Sequence, residues 1–100
     1  MSIVLETYET EQGMMVAAAD VSVVGELFEE DGVRVDVDEE FYGKTDRTVP
    51  REEVVESLRR ASIANLVGET AVDAGVEADV VDEENVLRVE GVPHAQMVRL

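Results

Sequence analysis

The chain is 100 residues long, which is enough for one domain built around one hydrophobic core. It carries 24 acidic residues against eight basic ones, for a net charge of −16. It has no cysteine, so disulfides, thiolate nucleophiles and cysteine-ligated metal sites are excluded. No stretch is long and apolar enough to cross a membrane, and no basic region followed by an apolar one opens the chain. These features predict a cytoplasmic protein without a membrane partner.

The acidic residues are spread over the whole chain and are not gathered in a tail. In dilute buffer this excess of negative charge would destabilise the folded state by self-repulsion. Molar salt shortens the screening length to about 3 Å and largely removes the repulsion. We therefore interpret the composition as an adaptation to a salt-rich cytoplasm. The alternative is an ordinary acidic protein that binds a cationic partner.

The first half of the chain predicts two β-hairpins. Valine, a β-branched residue that favours strands, dominates the apolar residues. The segments 2–9 and 14–19, joined by a short loop with a glycine, predict a hairpin whose second strand is buried. Residues 20–25 predict one helical turn. The Asp31–Gly32 pair lies between two alternating segments, which predicts a second hairpin, and residues 38–43 predict another short helical turn.

The middle of the chain predicts a polar loop followed by a long helix. Residues 44–49 are polar, and Pro50 suits the first position of a helix. Apolar residues then recur on one face with a helical period. The same spacing continues through residues 63–67 to Gly68, so the sequence predicts a helix that extends from Pro50 as far as this glycine.

The remaining elements complete an α+β pattern. Residues 69–78 predict a second helix, 82–85 a polar turn, 86–90 a strand, 91–93 a tight connection and 94–100 a final strand. Because strands precede and follow the helices without alternating with them, the pattern predicts an α+β fold of one domain over residues 1–100. We expect two layers, with an antiparallel or mixed sheet of hairpins packed against a pair of helices.

Three segments resemble one family of archaeal proteins. They are "EEFYG" (39–43), "SIANLVGE" (62–69) and "VDEENVLRVEGVPHAQMVRL" (81–100). Together they are similar to the archaeal family known as domain of unknown function 424, and the resemblance covers essentially the whole chain. It implies an archaeal source and a compact two-layer α/β fold. The family carries no established activity, so the resemblance implies no catalytic residues.

The residues that could carry chemistry are few. A serine nucleophile would need a base, and His94 is the only histidine; Ser62 with His94 and one of many acids is one such combination. No Gly-x-Ser-x-Gly motif is present. The acidic segments 36–40 and 82–85 lack the pattern of a calcium loop and are typical of solvated turns. We therefore predict no catalytic residues, no metal site and no cofactor, although an enzyme is not excluded.

Two segments, 57–68 and 91–100, are free of acid, and five of the eight basic residues lie within 44–60. Burial explains an acid-free segment, since buried segments exclude charge. It explains less well the polar side chains within them, which need partners if buried and which also suit binding to phosphate and base edges. These candidate site residues are Arg59, Arg60, Asn65, His94, Gln96 and Arg99. A structural polar network and an exposed binding face both remain open.

Two function hypotheses follow, with a third less favoured. The first is a module that binds RNA or a ribonucleoprotein through the locally basic surface. The second is a protein-interaction or homodimer module that uses an apolar patch around Phe41–Tyr42 or Val80–Val81. The third is a small-molecule enzyme, which would need a pocket beside His94. Exposure of the last strand is the property that separates these hypotheses.

Overall fold

The structure is a computed structural model that describes residues 2–99. Within this range, the strands are β1 (Ile3–Thr10), β2 (Gly13–Asp20), β3 (Leu27–Glu30), β4 (Val33–Asp36), β5 (Thr48–Val49), β6 (Ile63–Val67), β7 (Leu87–Val89) and β8 (Val92–Val98). Six of them form one sheet in the order β5-β1-β2-β6-β8-β7, and the other two form a separate hairpin, β3-β4. The helices are α1 (Glu39–Tyr42), α2 (Arg51–Arg60) and α3 (Glu69–Glu77).

All pairs in the large sheet are antiparallel except β2 with β6. Helices α2 and α3 pack on one face of it, where apolar residues of β1, β2, β6 and β8 form the core. The predicted α+β class, with a mixed sheet packed against a pair of helices, is confirmed. The β3-β4 hairpin and α1 lie on the opposite face and enclose a second apolar cluster there.

Turn chemistry explains the hairpins that the sequence predicted. β1 and β2 pair in full register from Ile3–Asp20 to Thr10–Gly13. In the β3-β4 turn, Asp31 and Gly32 both have positive φ, +52° and +83°, as a type I′ turn requires. Short helical turns also occur where they were expected, at Val21–Val23 and in α1. The Asp38 side chain accepts a hydrogen bond from the N–H of Glu40 at 3.0 Å and so begins α1.

The prediction that the helix from Pro50 continues to Gly68 is wrong. α2 ends at Arg60, Ala61 is extended, and Ile63–Val67 form β6. A short apolar run fits a buried strand as well as a helix, so spacing alone cannot separate them. The apolar strand β2 needs a pairing partner on the side away from β1, and β6 supplies it. The predicted polar loop 44–49 likewise ends in the short strand β5.

The last strand begins earlier than predicted. β8 starts at Val92, within the segment expected to be a tight connection, while Leu100 lies outside the described residues. Ala95 and Met97 pack toward the helices. Val92 packs toward the β3-β4 side instead, because side chains alternate along a strand. Side chains of β8 therefore alternate between the two faces of the sheet.

Tyr42 lies in the second apolar cluster, 4% exposed. Burial raises its pKa to about 12, and the negative charge of Asp36 acts in the same direction. The folded state favours the protonated phenol, so this contribution to stability is complete below pH 10. It is lost as the pH rises through about 12. In a spectrophotometric titration, Tyr42→Phe should remove the late tyrosine step while Tyr8→Phe retains it; the reverse result would contradict the assignment.

Candidate functional site

Three of the predicted site residues, all arginines, meet at one end of the molecule. Arg59 and Arg60 end α2, and Arg99 directly follows β8. The N–H of Arg99 donates to the carbonyl oxygen of Ser62 at 2.7 Å, and its guanidinium Nη1 donates to the carbonyl oxygen of Arg59 at 3.4 Å. The Arg59 guanidinium itself bonds the Glu56 carboxylate at 2.9 Å. This arginine cluster (Arg59, Arg60, Arg99) is exposed and partly neutralised.

Asn65 and Gln96 form a cross-strand pair on β6 and β8. The Gln96 side-chain amide donates to Asn65 Oδ1 at 2.8 Å, on the face away from the helices. His94 pairs with Val67 at the far end of β6, and its Nδ1 lies 3.1 Å from the carbonyl oxygen of Leu66. Since a carbonyl can only accept, that nitrogen carries the proton in this bond. His94 is therefore half-buried and tied to the backbone.

The structure does not unite all six predicted residues. His94 and Arg99 are five residues apart on extended chain, which separates them by about 17 Å. The structure instead makes two groups: the arginine cluster at one end, and the Asn65–Gln96 pair in the middle of the sheet. The acid-free tail is thus half-buried at His94 and exposed at Gln96 and Arg99.

Part of the sheet face opposite the helices is left uncovered. Cross-strand neighbours place Met15, Ile63 and Val98 in one row and Asn65 and Gln96 in the next. The β3-β4 hairpin and α1 enclose the row that contains Ala19 and Val67, both fully buried, but they do not extend over these other residues. We call the residues Met15, Ile63, Asn65, Gln96 and Val98 the open face. It carries no charge.

Exposure on the open face increases toward β8. Met15, Ile63 and Asn65 are half-buried and Gln96 is exposed, while Val98 is 65% exposed. Leu87 on β7, 53% exposed, continues the same side of the sheet beside His94. Scattered exposed apolar residues are normal on a protein surface. An uncharged strip is unusual in a chain of net charge −16.

The two apolar pairs suggested by the sequence, Phe41–Tyr42 and Val80–Val81, are not part of the open face. Phe41 stacks on Tyr8 with ring centroids 5.4 Å apart, and Tyr42 is buried. Val80 and Val81 pack against the core beneath the helices. Neither predicted pair forms a free apolar surface; among the described residues the exposed large apolar side chains are Leu27, Val33, Leu87 and Val98.

The arrangement offers little for catalysis. Ser62 precedes β6 and His94 pairs with the residue at its end, so the two lie about 17 Å apart along the strand. Among the described residues, no group of three or more His, Asp and Glu is placed to hold a metal ion. A cleft of about 340 Å³ lies between α3 and β7, lined by Glu69, Val72, Asp73, Val76, Glu83, Val86, Arg88 and Pro93. His94 is not among its lining residues.

Sequence reasoning missed one important residue, Asp20. It ends β2 and is only 2% exposed. Its two carboxylate oxygens accept hydrogen bonds from the backbone N–H groups of Thr70 and Ala71, at 3.0 and 2.8 Å, and so cap α3 from another element. An aspartate directly after an apolar strand gave no signal of this role, because the partners are fifty residues away.

The mixed sheet, its helix pair and its opposing hairpin define a small α+β domain whose distinctive surface is an uncharged strip of sheet. The chain belongs to the family described as "Protein of unknown function (DUF424)", which matches residues 8–100. The resemblance noted in the sequence is thus confirmed. None of the curated proteins matches the chain.

The fold also matches a solved structure, described as the "crystal structure of an uncharacterized conserved protein from Methanopyrus kandleri", an archaeon. The TM-score is 0.78, with 21% sequence identity over 100% of this chain and 96% of the other. At this identity the likeness concerns the fold alone. Within residues 2–99, no helix is long and apolar enough to span a membrane.

Proposed function

We propose that the protein is a non-catalytic interaction module that binds another protein through the open face. The observation that carries the proposal is the 65% exposure of Val98 within an uncharged strip. The chain carries 24 acidic residues and none of them belongs to the open face, so a partner can approach the strip without burying carboxylates, which would be costly. The adjacent Asn65–Gln96 amides supply hydrogen-bonding groups of the kind that accompany apolar contacts in protein interfaces.

The setting of this proposal is the cytoplasm of a salt-accumulating archaeon. The acid excess of the composition supports a salt-rich cytoplasm, and the match to the family supports an archaeal source. In concentrated salt, apolar contacts and backbone hydrogen bonds keep their strength, whereas exposed ion pairs lose theirs. An uncharged surface is therefore better suited to binding under these conditions than a charged one.

Binding of RNA or a ribonucleoprotein is the second candidate function, and the arginine cluster supports it. Arg99 bonds the backbone of Arg59, so the three arginines Arg59, Arg60 and Arg99 lie at one end of the molecule. Two observations weigh against it. Glu56 already pairs with Arg59, and binding through phosphate contacts falls steeply as salt rises.

A complex isolated from cells of the source organism at native ionic strength tests the two candidates. We expect its mass to resist ribonuclease and to be unchanged by the combined replacement of Arg59, Arg60 and Arg99 with alanine. Val98→Asp should dissociate it. Val33→Asp introduces the same charge at another exposed valine, on the β3-β4 hairpin, and should have no effect. Loss of the complex with ribonuclease, or its survival in Val98→Asp, would overturn the proposal.

A further inference from the structure

The outer edge of β8 is only partly paired. β7 covers residues Val92 to His94 and leaves 95–98 without a strand on that side, within the described part of the chain. Backbone groups alternate in direction along a strand. The carbonyl of Pro93 accepts a hydrogen bond from the N–H of Gly68, and the N–H of Arg99 donates to the carbonyl of Ser62. The backbone N–H and C=O groups of the odd-numbered residues 93–99 therefore point toward β6. Gln96 and Val98 therefore direct their N–H and C=O groups outward.

This edge lacks the usual protection against pairing with other chains. Natural edge strands carry charges, proline or bulges that block such pairing. The opposite edge of the sheet follows that rule, because β1 continues beyond its contact with β5 and carries Glu6 and Glu9. The free segment of β8, residues 95–98, reads Ala-Gln-Met-Val. It holds no charge, although about a quarter of the chain is acidic.

We propose that a second copy of this chain adds to the sheet at β8. The two β8 strands would pair antiparallel about a two-fold axis beside Met97, with Gln96 opposite the partner's Val98 and Val98 opposite the partner's Gln96. Each pair exchanges two backbone hydrogen bonds, so the outward groups of all four residues are satisfied. The inference rests on the proposed function, because the pairing would join the two open faces into one continuous surface for binding.

Charge and symmetry favour a second copy as the occupant. Two chains of net charge −16 repel each other strongly, and an uncharged segment is where they can make contact. A two-fold antiparallel arrangement is self-complementary, because residues 96 and 98 exchange places across the axis. The segment is short, so the association is weak by the standards of stable interfaces. Because salt screens the repulsion between the two chains, their association becomes stronger as the salt concentration rises.

Sedimentation equilibrium of the purified full chain tests the pairing. We expect a monomer–dimer equilibrium whose dissociation constant falls at least about tenfold between dilute and molar KCl. Val98→Pro removes an outward N–H without touching a bond to β6, and should weaken the dimer at least about tenfold. Thr7→Pro is the matched control, since its N–H points outward from the β1 edge. A monomer at every salt concentration would overturn the inference.

Hydrogen exchange on the unmodified chain gives a second measurement that does not depend on how the variants fold. The amides of Gln96 and Val98 should become protected as protein concentration rises at molar salt. Those of Ala95 and Met97 face β6 and should be protected throughout. Exchange at Gln96 and Val98 that is independent of concentration would refute the dimer.

The two proposals fail in different ways. A purified chain that stays monomeric, beside a native complex that is lost in Val98→Asp, would mean that a strand or surface of another protein occupies the open face. The second copy would then be wrong and the proposed function would stand. A purified dimer beside a native complex that survives in Val98→Asp would support the pairing and remove the proposed function.

Discussion

Replacing Asp20 with alanine is expected to lower the free energy of unfolding by about 3 kcal/mol, which corresponds to a fall of roughly 10–20 °C in Tm for a chain of this size. The buried carboxylate accepts from the N–H groups of both Thr70 and Ala71. Loss of a helix cap costs about 0.5–2 kcal/mol. A buried donor left without an acceptor adds about 1–3 kcal/mol. Thermal and urea unfolding followed by circular dichroism would measure the loss.

Asp46→Ala is the matched control for this prediction. It removes the same negative charge from an exposed turn. In a chain of net charge −16 that removal relieves repulsion and should leave stability unchanged or slightly raised. The two variants therefore differ in the sign of their effect. A loss in Asp20→Ala no larger than in Asp46→Ala would show that the carboxylate does not hold the start of α3.

The geometry around Asp20 also explains why residue 68 is glycine. Gly68 has φ of +107°, and a Cβ there would overlap the Asp20 side chain. A side chain at this position would be strained in its backbone and would displace the cap. The junction of β2, β6 and α3 thus depends on both residues. It lies at the end of β6, where Val67 pairs with His94.

Local chemistry made much of the fold predictable. The Asp31–Gly32 turn and the alternation of the first two strands predicted both hairpins, because turn type and side-chain period act over a few residues. The apolar spacing of segment 63–67 suits a helix as well as a strand, so spacing alone leads to the wrong prediction of a helix there. What decides the outcome is the need of β2 for a second pairing partner, and that need is visible only once the sheet is assembled.

The candidate site was predictable in composition and not in placement. The missing acids drew attention to the segments that became β6 and β8. The free edge arises because β7 is shorter than β8, a difference that depends on where the chain after α3 joins the sheet. The Asp20 cap joins residues fifty positions apart, so no local pattern could show it.

The second large effect concerns salt, which should raise the stability of the protein markedly. Four exposed ion pairs, involving Arg51, Arg59 and Arg88, are present among the described residues. They engage four of the 24 acidic residues. Two carboxylates about 10 Å apart in water repel by about 0.4 kcal/mol, and a surface with this many unpaired acids contains many such pairs. Screening at molar KCl should therefore add about 3 kcal/mol to the free energy of unfolding.

Thermal unfolding across a KCl series would measure this gain, and a variant of lower charge separates screening from other effects of salt. Salt at high concentration also strengthens apolar burial, and that contribution does not depend on the charge of the protein. Changing the exposed acids Glu11, Glu26, Asp46 and Glu84 to their amides lowers the net charge and leaves the ion pairs intact. Its Tm should be higher than that of the parent chain in dilute salt, and the two should converge at molar KCl. Equal salt dependence in the two proteins, or a Tm independent of salt, would contradict the interpretation that the acidic surface is adapted to salt.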